Sequence, residues 1–181
     1  MELTVPNETK GSRNDYEELA GGTYEAICID AIYPVVKQYQ NEKPRQCVIF
    51  VFELNELRKR KDGEPDDSRY QVWSTSMTLT LHSMGALKPF LEEWLGREME
   101  TNDKLMLEDF INKPAKLTVN LKKKKNKPGE KYVNIAACLP GEGSFEVSGN
   151  YERKDPLDYS DIRSKGERRT ERDMDKEDAP F

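Results

Sequence analysis

The residues whose types and spacing could do chemistry are mostly lysines and aromatics. The densest group lies between positions 113 and 131, where eight lysines are set against the single Glu130. Lys116, Lys122, Lys123, Lys124, Lys125, Lys127 and Lys131 belong to it. Ammonium groups at this density either stay solvated or act as point charges that neutralise phosphates and release condensed counterions. Tyr132 follows directly, and a flat aromatic face beside a cationic row is what an unstacked base requires. A second basic stretch holds Lys37, Lys43 and Arg45, with Tyr33 and Tyr39 beside it. A third holds Arg58, Lys59, Arg60 and Lys61, and Tyr70 and Trp73 come soon after.

The surrounding pattern predicts the elements that must hold these side chains. Leu117, Val119 and Leu121 alternate with Lys116, Thr118, Asn120 and Lys122, and Val133 and Ile135 alternate with Tyr132 and Asn134, the period of two of half-buried strands. Asn126, Lys127, Pro128 and Gly129 supply turn chemistry between them, so residues 113–135 read as a hairpin with a basic tip. Tyr132 then points outward, because Val133 and Ile135 claim the inward face. Upstream, residues 23–33 read as a first strand ended by Pro34, and residues 46–54 as a second with Val48, Phe50, Phe52 and Leu54 in the core. Residues 70–79 read as a third strand whose inward face is ambiguous, so Trp73 is a stacking candidate that the core claims as readily. The period then lengthens: Leu87, Phe90, Leu91, Trp94 and Leu95 recur at helical spacing. Ser83 is placed as N-cap, Gly96 as the stop, and Pro89 in the first turn of a helix proper that begins near Lys88.

The order strand, strand, strand, helix, strand, strand is that of the oligonucleotide/oligosaccharide-binding fold, a five-stranded Greek-key barrel in which the helix plugs one end. The expected class is therefore all-β with one plug helix. Ligands of that fold cross strands two and three between the loop joining strands one and two and the loop joining strands four and five. Both loops are basic here. The barrel is expected over residues 22–142, after a flexible arm at 1–21 and before a disordered linker and acidic tip at 143–181.

Composition narrows the function classes. Hydrophobic and charged residues each make up 35%, too few apolar side chains for a chain that is globular throughout, and the deficit sits at the two ends. The net charge of −5 argues against nucleic acid only if it is evenly spread, which it is not. Cys28, Cys47 and Cys138 form no CxxC pair, and His82 is the lone histidine, so a metal site of that kind is not expected. The thiols read as buried in a reducing cytoplasm. No leader and no run of about twenty apolar residues is visible, so neither export nor a membrane partner is expected. Walker, nucleophile-elbow and GxGxxG motifs are absent, and Asp62, Asp66 and Asp67 lack calcium-loop spacing. Neither catalysis nor a cofactor or metal is expected. The alternative to nucleic-acid binding is an adaptor whose barrel docks on a protein and whose lysines are only solvated.

At the far end, Asp173, Asp175, Glu177 and Asp178 precede Ala179, Pro180 and Phe181. This resembles the acidic tip of bacterial single-stranded DNA-binding proteins, with Ala179 where that family usually has a large aliphatic residue, Lys176 interrupting the acids, and a charged linker. In SMGALKPFLEEWLG and FINKPAKLTV the body resembles the single-strand-binding and recombination-associated barrel proteins of phages and prophages. The two resemblances imply a protein that coats single-stranded DNA in replication, recombination and repair. They also imply recruitment of partner enzymes through Phe181, Pro180 and the acids. Homo-oligomerisation and the choice between DNA and RNA are left open.

Overall fold

The structure, a computed structural model, describes residues 15–37 and 43–154. Tyr39 and the tip residues Asp173, Asp175, Glu177, Asp178, Pro180 and Phe181 lie outside them. In chain order the elements are β1 (Gly22–Lys37), β2 (Arg45–Leu57), β3 (Arg69–Trp73), β4 (Met77–Thr78), α1 (Leu87–Leu95), a single 3-10 turn (Leu107–Phe110), β5 (Pro114–Lys123) and β6 (Lys131–Pro140). All pairings are antiparallel, in the order β3-β2-β1-β5-β6, with the short β4 also on β2. The edge strands β3 and β6 come within 8 Å of each other between Cα atoms, but no ladder joins them. The sheet is therefore curled and not closed.

The inner face follows the alternation of the sequence. Val48, Phe50, Phe52 and Leu54 of β2 are buried without remainder, as are Ala115 and Leu117 of β5. From β1 the inner face takes the small residues Ala26, Cys28 and Ala31, which leaves room for large aromatics opposite. Trp94 of α1 fills that room, with ring centroids 5.0 Å from Phe110, 5.2 Å from Phe52 and 5.5 Å from Phe50. Its indole N–H donates to the Pro114 carbonyl at 2.9 Å, so burial leaves no polar atom unpaired. The helix starts at Leu87 after Ala86, with no side-chain cap, so Ser83 does not serve as one. Pro89 is its third residue, where a backbone N–H has no partner within the helix. Gly96, at φ 67°, ends it with paired bonds from its own N–H and that of Arg97 to the carbonyls of Glu93 and Glu92.

Four further expectations change. Pro34 does not end the first strand: the register slips between Ile32 and Val35, so the residue without an N–H sits where the ladder is already interrupted. The third strand breaks after Trp73, because the Ser74 hydroxyl accepts from the Phe50 N–H at 2.9 Å and takes the place of a backbone partner. The segment 15–21 is not a free arm. Tyr16 bridges to Arg60, Leu19 is buried, and the Glu17 N–H donates to the Lys59 carbonyl at 2.7 Å.

The largest change concerns residues 143–154, expected in the linker. The outer face of β1 and β2 carries a second apolar cluster of Ile29, Ile32, Val35, Cys47 and Val51, and Val147 and Tyr151 pack on it. Two acids are buried there, Asp30 and Glu53. Ser148 donates to Glu53 through its N–H and its hydroxyl, both at 2.7 Å, and Arg69 approaches the same carboxylate at 3.5 Å. Asp30 accepts from the Tyr151 hydroxyl at 2.9 Å, the Arg153 guanidinium at 3.2 Å and the Lys154 N–H at 2.8 Å. A composition poor in aliphatic residues did not announce this strap, because polar bonds to two buried carboxylates hold it.

Candidate nucleic-acid interface

The β5–β6 hairpin forms where the alternation predicts it, and its register decides how the lysines are displayed. Lys122 lies opposite Tyr132 and Lys123 opposite Lys131. Tyr132 is 43% exposed, and its ring has a lysine as cross-strand neighbour. Lys123 and Lys131 are like charges directly opposite each other, a pairing that costs stability unless an anion approaches. The loop closes through the Lys124 N–H to the Glu130 carbonyl at 2.9 Å, and residues 127–130 form its turn, with Pro128 second and Gly129 third at φ 86°. Such a φ in the third place is a glycine's.

Glu130 divides the cluster. Lys124 reaches its carboxylate at 2.7 Å and Lys127 at 3.6 Å, and the Lys124 hydrogen bond holds the carboxyl below the usual range. Lys116 is held by Glu25 at 3.4 Å. Among the described residues, Lys122, Lys123, Lys125 and Lys131 make no ion pair. These four, beside the exposed Tyr132, are the lysines of the predicted finger that no acid holds.

Lys37 and Arg45 are cross-strand partners at the end of β1. With Cys47, Thr75, Ser76 and Thr78 they line a depression of about 360 Å³, so the break in the third strand brings three hydroxyls to the two cations. Gly22, at the other end of β1, pairs with Val119 beside the basic hairpin. The two basic loops therefore sit at opposite ends of the sheet. Trp73 lies between them on β3, paired with Val51 and 38% exposed.

The third basic stretch is largely consumed by its own neighbours. Arg60 makes a forked contact with Asp62, closest at 2.6 Å, Lys59 lies 3.7 Å from Glu56, and the Arg58 guanidinium sits 3.4 Å from the centroid of the Tyr16 ring. Asp66 accepts from the Tyr16 hydroxyl at 2.6 Å and the Ser68 N–H at 2.7 Å; bonds from Ser68 and Tyr16 bring its pKa down to about 2. The loop acids thus organise the loop. His82 is exposed, and its Nδ1 accepts from the Met84 N–H at 3.1 Å. Burial pushes the thiols of Cys28 and Cys138 up, away from reactivity at neutral pH.

Sequence reasoning missed Tyr16 and Arg69. Both line a hollow of about 850 Å³ with Arg58, Tyr70, Trp73 and Val133, between the two edge strands. The available signal was Tyr16 and Leu19, two large hydrophobic side chains shortly before the first strand. No group of three or more potential metal ligands occurs among the described residues, and no helix there is long and apolar enough to cross a membrane. No protein-family model matches the chain, and no curated protein matches it.

Proposed function

We propose that the protein binds single-stranded DNA without sequence preference, in the service of replication, recombination or repair. In this reading the curled sheet is an oligonucleotide-binding barrel left open between its first and last strands in spatial order. The observation that carries the proposal is a juxtaposition. Four lysines without acidic partners stand at the tip of the β5–β6 hairpin beside Tyr132 of the edge strand β6, and the exposed Trp73 stands on the facing edge strand β3. Phosphate neutralisation by Lys122, Lys123, Lys125 and Lys131 supplies affinity that ignores sequence, and stacking on the aromatics adds to it. Lys37 and Arg45, with the hydroxyls of Thr75, Ser76 and Thr78, offer a second phosphate contact at the far end. Lys116, Lys124 and Lys127, each occupied by a glutamate, contribute less. The acids before Pro180 and Phe181 recruit partner proteins, as the resemblance of that sequence to the bacterial tip suggests.

Titration of the intact protein with oligo-dT at two salt concentrations tests this. Affinity should fall steeply with salt, by about 0.7 log units per log unit for each phosphate neutralised on a single strand. Absence of binding at low salt, or binding indifferent to salt, would refute the reading and favour a protein-docking adaptor.

A further inference from the structure

We propose that the open seam between β3 and β6 is a base-binding slot, and that a single strand engages the protein there and not on the outer face of β1 and β2. The inference rests on the reading of the chain as a single-strand-binding protein and names where the bases go.

Two observations carry it. The first is exclusion. The strap of residues 143–154 covers the outer face, with Ser148 on Glu53 and Tyr151, Arg153 and Lys154 on Asp30. Asp30 is 0% exposed and Glu53 1%, so a strand displacing the strap would bring phosphates against two carboxylates deprived of their donors. It would also uncover Ile32 and Val51, which the strap's cluster keeps dry.

The second is complementarity. The seam holds a hollow of about 850 Å³, in the size range of ligand sites, lined by Tyr16, Arg58, Arg69, Tyr70, Trp73 and Val133. At 3.4 Å from the Tyr16 centroid, the Arg58 guanidinium is in contact with that ring and offers its other face to a base. Trp73, opposite Val51 and so on the outer side of β3, lies at the rim of the same hollow and is 38% exposed. Among the described residues neither β3 nor β6 has a ladder partner on its seam side, the position from which an edge strand's backbone can meet a ligand. Two residues along β6 from Val133, on the same face of the strand, Lys131 is the cation through which the slot meets the phosphates of a strand whose bases turn inward.

Trp73 and Trp94 are the only tryptophans, and Trp94 is 1% exposed, so contact quenching of indole emission by a bound strand reports on Trp73. The full chain is titrated with a dye-labelled oligo-dT while dye anisotropy and tryptophan emission are followed together. Emission should be quenched with the same midpoint as the anisotropy rise, and Trp73→Phe should abolish the quench. Arg58→Lys, which keeps the charge and loses the plane, should weaken binding at least about fivefold, the low end for a lost base stack. Loosening the strap with Ser148→Ala and Arg153→Ala should not tighten binding. Normal anisotropy with unquenched emission, Arg58→Lys binding like the wild type, or tighter binding by the strap variant would each overturn the slot while leaving single-strand binding intact. No anisotropy change at low salt would instead remove the single-strand reading itself.

Discussion

At the scale of the residue, Glu130 governs how much charge the hairpin offers. It holds Lys124 and Lys127 and is the only acid among the eight lysines of residues 113–131. Glu130→Gln should tighten oligo-dT binding at low salt and steepen the salt slope by about 0.7 for each lysine that then reaches a phosphate. Changing Lys122, Lys123, Lys125 and Lys131 together to Ala should flatten the slope by up to about 3 and leave the thermal midpoint nearly unchanged, because these side chains hold nothing in the fold. Lys116→Ala, which frees Glu25, should affect binding less than any one of the four. A titration series at several salt concentrations separates these outcomes.

The carboxyls set the response to acid. Asp66 lies at about 2, held down by Ser68 and Tyr16, and Glu108 is held below its ordinary value by Arg153. A carboxyl depressed in the folded state stabilises fully above its unfolded pKa near 4 and loses that contribution as the pH falls through the folded value. The urea midpoint should therefore fall from about pH 4 towards pH 2, and Asp66→Asn should make that fall shallower. An equal slope for the variant would show that Tyr16 and its segment are held by other contacts.

At the scale of the element, α1 and the strap do different work. Trp94 ties the helix to β2, the 3-10 turn and β5 at once, so Trp94→Ala should cost about 3–5 kcal/mol in urea unfolding. The strap contributes by satisfying buried charge. Ser148→Ala removes one of two serine bonds to Glu53 and should cost about 1–3 kcal/mol with no loss of oligo-dT affinity. In the hairpin, Gly129→Ala forces a side chain into the left-handed region and should cost about 1–2 kcal/mol, fraying the tip first. Hydrogen exchange at Leu121 and Val133 would report that fraying.

At the scale of the molecule, charge is polarised. The net charge of −5 averages a basic hairpin with a tip in which Asp173, Asp175, Glu177 and Asp178 outnumber Lys176. Opposite charges on one chain compete with a charged ligand within a Debye length of about 10 Å at moderate salt. Removing residues 173–181 should then tighten oligo-dT binding, most at low salt. Equal affinities for the two chains at low salt would show that the tip does not compete.

Much of the framework was legible because strand and helix periods are local properties of a chain. The alternation in residues 116–122 marked β5, that in residues 46–54 marked the buried face of β2, and the spacing from Leu87 to Leu95 marked the helix and its Trp94 plug. Lysine density marked the finger for the same reason. What no local pattern carried was pairing across the chain. Glu130 and Glu25 decide which lysines are left without an acidic partner, and only the β5–β6 turn and the β1–β5 register bring them there. The strap was invisible because Asp30 and Glu53 reach partners about a hundred residues away, so a polar, aliphatic-poor segment becomes fixed structure through bonds to acids the core has buried. Composition counts apolar surface. The cost of an unpaired buried carboxylate depends on where the chain folds back, and tertiary structure alone decides that.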